Sequence, residues 1–376
     1  MMRRQELPTP CYIIDEAKLR SNLELLHKVE QESGCHILLA QKAFSCFALY
    51  PMIAEYLSGT TASGLYEARL GKTEFGKETH VFAPAFTDSE FVQLCGICDH
   101  ISFNSFAQLE RHRPVWEPAN VSVGIRVNPE CSTQGDHAIY DPCAPGSRLG
   151  VTKENFRPDL LRGVEGLHFH TLCEQNADAL IETFAAFEAK FGAYLPRMKW
   201  LNLGGGHHIT RDDYDVSALI SLILKIRKTY GVTVYLEPGE AIALNAGWLD
   251  TTVMDIVENG IRTLILDASA ACHMPDVLEM PYRPPLCDAG EWGEKTYAYR
   301  LSSRTCLAGD IIGDYSFDRE IGVGDRLTFG DMAIYSMVKN NTFNGMPLPA
   351  IAVQHPDGDC EIIKEFTYED FKGRLS

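Results

Sequence analysis

The stretch HILLAQKAF, residues 36–44, is an apolar run that stops on a polar pair, Gln41 and Lys42. Read alone, Lys42 has two meanings: a solvated charge closing a strand, or an amine held at the mouth of a fold for chemistry. The run decides the fold because it recurs. GTTAS (59–63), THVFAP (79–84), HISF (100–103), VSVGIRVN (121–128), VEGLHFH (164–170), KWLNLGGG (199–206) and VTVYLEPG (232–239) bring the number of such runs to eight. Between them lie segments with helical spacing, such as NLELLHKVEQ, YEARLGKT, FAQLERH, DALIETFAAFEAKFGAYL and VSALISLILKIRKTY. Eight such alternations predict an α/β fold, a closed TIM-like (β/α)8 barrel over residues 20–240.

Beyond Gly239 the texture changes. TTVMDIVENGIRTLILDAS, KTYAYRLSSRTC, DRLTFGDMAIYSMV and PAIAVQHPDGDCEIIKEF are strand-like runs broken by Gly, Asp and Asn turns. They predict a mostly β domain over 241–376. The early run CYIIDEAKL (11–19) has a β-like start, so residues 1–19 are expected to complete that second domain.

Composition narrows the function. A net charge of -17 argues against a nucleic-acid partner, whose phosphates such a surface repels, and favours a cationic small molecule. No apolar run approaches the roughly 20 residues of a membrane helix, and MMRRQELPTP has no apolar segment behind its arginines, so neither a membrane span nor a secretion signal is expected. The 12 cysteines are scattered, and the single C-x-x-C, Cys95 and Cys98, lacks the second pair a zinc site needs. Reduced thiols, a cytoplasmic location and no metal are expected.

In a (β/α)8 barrel chemistry collects where strands end. Lys42 closes the first run, Ser63 and Gly64 the second, Arg126 and Asn128 the fifth, His168 and His170 the sixth, Gly204, Gly205, Gly206, His207 and His208 the seventh, and Glu237 the eighth. Each has a plainer reading: a surface charge, a core histidine, a tight turn. Together they divide into four roles. A buried amine with a lowered pKa forms Schiff bases. A glycine triplet before a helix leaves N–H groups free for a phosphate. A carboxylate keeps a pyridine nitrogen protonated, and an imidazole stacks on a ring face. Lys42, Gly204–Gly206, Glu237 and His170 thus point to pyridoxal 5′-phosphate.

At this point the chain resembles a known family, the fold-type III pyridoxal-phosphate decarboxylases with an alanine-racemase-like barrel. AQKAF is similar to the lysine motif of that family, RVNP and GSRLGV (146–151) to its mid-barrel motifs, and GLHFHTLCE to its H-x-G-S motif. LNLGGG matches the phosphate loop, EPGEA the E-P-G-R motif, RTCLAGD the C-(E/D)-S-x-D motif and GDMAIYSM the G-A-Y motif. The departures are Leu172 and Cys173 where ornithine and diaminopimelate enzymes have Gly-Ser, Glu240 in place of the E-P-G-R arginine, and Leu307 in place of the acidic residue after the motif cysteine. EPGEA, LDASAACHMPDVLEMPYRPPL (266–286) and NNTFNGMPLP resemble the carboxynorspermidine/carboxyspermidine branch.

The resemblance implies decarboxylation of a long, cationic carboxylated triamine in polyamine synthesis. It implies Lys42 as cofactor anchor, His170 on the ring face, and Glu237 at the pyridine nitrogen, where alanine racemases carry an arginine. It implies Cys306 as the acid that protonates the α-carbon, working in the other subunit of a homodimer with shared sites. Asp310, Leu307, Glu240 and Asp276 fall beside the substrate and Tyr335 near the phosphate; Arg126, Asn128 and Glu67 support the cofactor. Other readings stay open. A diaminopimelate-, ornithine- or arginine-type enzyme would set a charged group against Leu307. A silent cofactor-binding homologue would leave Lys42 and Cys306 idle. A metal-dependent hydrolase would use His168, His170 and His208.

Overall fold

A computed structural model of the chain describes residues 2–135 and 138–376. These divide into two compact units, Asn22–Ile242 and a second made of Met1–Ser21 with Ala243–Ser376. In chain order, β1 (Met2–Arg3) and β2 (Cys11–Asp15) belong to the second unit, and a long helix, α1 (Glu16–Ser33), leads into the barrel.

Eight parallel strands close that barrel: β3 (His36–Ala40), β4 (Gly59–Ala62), β5 (Glu78–Phe82), β6 (His100–Phe103), β7 (Ser122–Arg126), β8 (Gly166–His168), β9 (Trp200–Asn202) and β10 (Thr233–Leu236). β10 pairs back onto β3 through Tyr235 with His36 and Leu236 with Ile37. Each of the eight runs read from the sequence carries one strand. All but β6 stop short of the ends of their runs, so Lys42, His170, Gly204–Gly206 and Glu237 stand in the loops beyond the strands. A parallel ladder lasts only while both neighbours remain extended, and here the partners leave first.

The crossovers use helices whose ends the sequence marks. Asp88–Ile97 starts on the Thr87/Glu90 capping box, and Val216–Tyr230 runs from its Asp215 cap to left-handed Gly231. Ala177–Phe191 buries Phe184, Phe187 and Phe191. The crossover after β7 departs from this pattern: its described residues form only two single turns, Ala138–Tyr140 and Pro158–Leu160. Pro129, Pro142, Pro145 and Pro158, with left-handed Gly135, Gly146, Gly150 and Gly163, deny it a continuous helix.

Inside the barrel, Trp200 of β9 lies in register with Gly166 of β8, and Gly166 with Gly124 of β7. The two glycines make room for the indole: an added Cβ would come within 2.0 Å of its ring from Gly166 and 2.2 Å from Gly124. The indole N–H donates to Ser122 Oγ at 2.8 Å.

The other unit is a nine-stranded sheet that adds to β1 and β2 the strands β11 (Gly247–Glu258), β12 (Arg262–Leu266), β13 (Tyr297–Ser303), β14 (Ile311–Phe317), β15 (Arg326–Gly330), β16 (Ala350–Gln354) and β17 (Asp359–Lys364). Eight of them run in the order β1-β17-β16-β2-β11-β12-β13-β14, and β15 pairs with β11 off this path. β2 lies between β11, antiparallel, and β16, parallel, so the N-terminal strand does complete this domain. β11 serves three partners: β2 along 247–250, β15 along 248–252 and β12 along 253–258, the last with a register shift between Val253 and Asp255. The core gathers Tyr12, Leu249, Tyr299, Tyr315, Phe317 and Phe329. Asp250, 3% exposed, is neutralised by Arg4 at 2.6 Å and Arg326 at 3.5 Å.

Gly166→Ala is expected to overpack the barrel and cost about 1–3 kcal/mol. Urea unfolding checks this: the midpoint falls at unchanged slope, and the same change costs less in a Trp200→Ala background.

Candidate active site

The barrel loops bring one group of the expected residues together. Glu237 follows β10 and is 8% exposed, yet its carboxyl is held below its ordinary pKa. Burial pushes it up, but His168, the Asn202 amide and the Thr61 hydroxyl more than offset that. Asn202 Nδ2 donates to Glu237 Oε1 at 2.6 Å, and His168 Nε2 lies 3.8 Å from Oε2. Burial drives His168 down to about 4, so at neutral pH an ionised Glu237 faces a neutral imidazole.

Lys42 stands in the turn after β3, within electrostatic reach of Glu237, Arg126 and Glu67. Desolvation lowers its amine below the ordinary value and Glu237 pulls it back up. Lys42 itself is exposed where a buried amine was expected, and solvent at the side chain tempers the desolvation without reversing its sign. Gln41, fully buried, braces this turn: its amide donates to the Glu67 carbonyl at 2.8 Å and accepts from Tyr50 Oη at 3.1 Å. His170 is half-buried and held well below its ordinary pKa by burial, with Lys42 and Arg126 adding to the effect. Arg126, 5% exposed and pushed down to about 10 by burial, donates to the His170 carbonyl at 3.3 Å and stacks 4.5 Å from the Phe82 ring centre.

The glycine loop is built for close approach. Gly204 and Gly206 have φ of +71° and +80°, and a Cβ on Gly205 would fall 2.5 Å from the Glu237 carbonyl oxygen. A Cβ on Gly206 would fall 2.0 Å from the Leu172 carbonyl. The Gly204 N–H is already committed, to Asn202 Oδ1 at 2.8 Å, and the Gly205 N–H meets His170 Nδ1 at 3.3 Å. Gly204 therefore holds the residue that holds Glu237. Asn202 was missed in the sequence; the one signal was a polar side chain inside an otherwise apolar run. Glu240 opens the next short helix with His208 Nε2 at 3.7 Å, and Asn128, 5% exposed, accepts from the Glu130 N–H at 2.7 Å.

The remaining expected residues belong to the β unit. Cys306 and Leu307 lie exposed in the turn between β13 and β14. Asp310, expected beside the substrate, is 1% exposed and accepts from four donors of its own unit. Asp276 pairs with Lys339, which also binds Glu279. Tyr335 is half-buried with φ of +52°.

Among the described residues two sets of three groups come within metal-ligand range of one another. In Glu78, His80 and His100 the two imidazoles stack at 4.1 Å with planes 16° apart. Within this set His80 Nε2 already meets Glu78 Oε2 at 3.1 Å. In His168, His170 and Glu237 the carboxylate already takes the Asn202 amide; the third histidine of the hydrolase reading, His208, is not in this set. An amine below its usual pKa, an ionised buried carboxylate, a neutral flat imidazole and a glycine turn are a set that can carry a carbonyl cofactor.

Comparison with known proteins agrees. Residues 11–333 match the family described as pyridoxal-dependent decarboxylase, C-terminal sheet domain. This chain belongs to the pyridoxal-dependent decarboxylases. The decarboxylase is 42% identical to the carboxynorspermidine/carboxyspermidine decarboxylase of Campylobacter jejuni over 98% of this chain and 99% of that one. It is also 42% identical to the carboxyaminopropylagmatine decarboxylase of Synechocystis, over 99% and 97%. A crystal structure of Campylobacter jejuni carboxynorspermidine decarboxylase complexed with norspermidine superposes with a TM-score of 0.91 at 41% identity, covering 98% of this chain and all of that one. The decarboxylase uses pyridoxal 5′-phosphate, and no helix among its described residues is long and apolar enough to cross a membrane.

The buried histidines set the acid limit of the fold. His168, His207 and His208 are each driven down to about 4 by burial, against about 6.5 for an exposed imidazole. The unfolded chain binds their protons first, so the stability they contribute is complete above pH 6.5 and lost as pH falls toward 4. The unfolding free energy from urea titrations is expected to drop steeply across that window, by about 1.4 kcal/mol per pH unit per histidine, and His168→Asn should flatten the slope.

Proposed function

We propose that this decarboxylase acts on carboxynorspermidine or carboxyspermidine, releasing CO2 and the triamine in polyamine synthesis. The observation that carries the proposal is the near-complete superposition on the Campylobacter jejuni enzyme holding norspermidine. The acidic chain, with a net charge of -17, is compatible with a polycationic substrate.

The residues of the barrel mouth fit the cofactor. The lowered Lys42 amine would hold it, the Gly204–Gly206 turn leaves space no side chain could share, and the half-buried His170 offers a flat neutral face. When bound, pyridoxal 5′-phosphate supplies an electron sink for the pair left on the α-carbon as CO2 departs. Glu237, ionised and oriented by Asn202, holds a proton on the pyridine nitrogen. Arg126 fixes the His170 loop from below through that residue's carbonyl. Cys306, whose thiol is exposed, returns a proton to the α-carbon, and Tyr335 attends the phosphate in place of the arginine that Glu240 replaces. Exposure of Cys306 beside Leu307 (42%) and Phe343 (50%) supports their use in the partner's site of a homodimer. A cytoplasmic location is supported by twelve free cysteines.

One second reading has an observation behind it: the equally similar Synechocystis enzyme, whose substrate ends in a guanidino group. A CO2-release assay on carboxynorspermidine, carboxyspermidine, carboxyaminopropylagmatine, diaminopimelate and ornithine separates these. Turnover of the two carboxytriamines is expected to dominate, and turnover of diaminopimelate or ornithine alone would overturn the substrate assignment. Borohydride treatment of the holoenzyme is expected to fix the cofactor on the Lys42 peptide by mass. Lys42→Ala should remove that adduct and lower CO2 release by at least about 1,000-fold.

A further inference from the structure

The turn that carries Cys306 has no apolar anchor. From Arg304 to Gly309 its residues are exposed or half-exposed, and the first buried side chain after Ser303 is Asp310. A surface turn of this kind opens readily unless polar bonds hold it. Here they do. Asp310 Oδ2 accepts from Ser303 Oγ at 2.5 Å, Thr305 Oγ1 at 2.5 Å and Ser269 Oγ at 2.6 Å, and Oδ1 accepts from the Ala271 N–H at 3.1 Å. The Asp310 carbonyl accepts from Ser302 Oγ at 2.7 Å. The carboxylate is spent on the base of its own turn and on the segment after β12, which leaves it buried away from any ligand.

A second clamp reaches the cysteine itself. Asn344 Oδ1 accepts from the Cys306 N–H at 2.8 Å, and Asn344 holds a left-handed backbone, φ +56° and ψ +18°, that asparagine tolerates better than most residues. Its own segment is tied to the one Asp310 grips: the Asn341 N–H donates to the Cys272 carbonyl at 2.9 Å, Asn341 Nδ2 to the Ala271 carbonyl at 2.8 Å, and the Cys272 N–H to Ser269 Oγ at 3.0 Å. Residues 269–272, 302–310 and 341–344 therefore form one closed polar ring around an otherwise loose turn.

We infer that Asp310 and Asn344 are positioning residues for the Cys306 thiol, holding its turn at the one setting from which it delivers a proton. The inference rests on the proposed role of Cys306 and deepens it: Asp310 acts on the substrate through the cysteine's turn and not by contact.

The test is a double-mutant cycle on the holoenzyme with whichever carboxytriamine is turned over. Asn344→Gly keeps the backbone angle and removes the acceptor, Asn344→Asp keeps both, and Asp310→Asn perturbs the other clamp; urea midpoints establish that each is folded. Asn344→Gly and Asp310→Asn are expected to lower kcat about 10- to 100-fold, the range a displacement near 1 Å produces, with KM held within about twofold. Asn344→Asp is expected to restore most of the rate. In a Cys306→Ala background neither change should lower kcat further, because the group being positioned is gone. Alkylation of Cys306 by iodoacetamide, followed by peptide mass mapping, should quicken several-fold in Asn344→Gly while Cys287, also exposed, reacts as before. Unchanged kcat in both variants, or equal losses with and without Cys306, overturns the inference. A Cys306→Ala enzyme of undiminished kcat removes the premise, and the inference with it.

Discussion

Glu237 has to stay ionised while almost wholly withdrawn from water, and much of the barrel mouth follows from that requirement. Desolvation alone would protonate it. Three strands answer: β9 sends the Asn202 amide, β4 the Thr61 hydroxyl, and β8 places His168 at 3.8 Å. Asn202 can present its amide only if its oxygen is satisfied, and the Gly204 N–H does this from a left-handed position. The bond that orients the carboxylate thus sets the start of the glycine turn. The turn in turn runs so close to the Glu237 carbonyl that Gly205 has no space for a side chain. Charge, loop path and glycine content are one constraint seen three ways.

The buried carboxylates of this protein separate into two kinds by what surrounds them. Asp250 is quenched by Arg4 and Arg326, so it contributes attraction inside the fold and little field outside it. Glu237 has no arginine or lysine within ion-pair distance among the described residues; His168 first, then the Asn202 and Thr61 dipoles, hold it below its ordinary pKa, so its negative charge remains available to a cation brought against it. Asp310 also collects neutral donors, four of them, but is sealed by its own turn. The difference between a carboxylate for chemistry and one for architecture lies in the charge of the partners and in access, and residue type carries neither.

Much of this was legible in one dimension. Parallel barrel strands are covered on both faces, so they read as short apolar runs, and all eight stand out. Lys42, Gly204–Gly206 and Glu237 were legible for a related reason: each interrupts such a run where a polar residue has no packing purpose.

The amino-acid sequence by itself determined which segments are strands of a barrel, which residues are chemically able to act, and that the fold has a barrel and a β unit completed from its N-terminal end. Only the tertiary structure decided who meets whom. Asn202 became the partner of Glu237, 35 residues on, because barrel closure sets neighbouring strands in one register. Gly166 and Gly124 became the seat of Trp200 for the same reason. Asp310 came to accept from the Ser269 hydroxyl because Ser269, 41 residues earlier, is folded against it. Hydrogen bonds and ring contacts act over a few ångströms in space, and sequence separation says nothing of those distances until the sheets have closed.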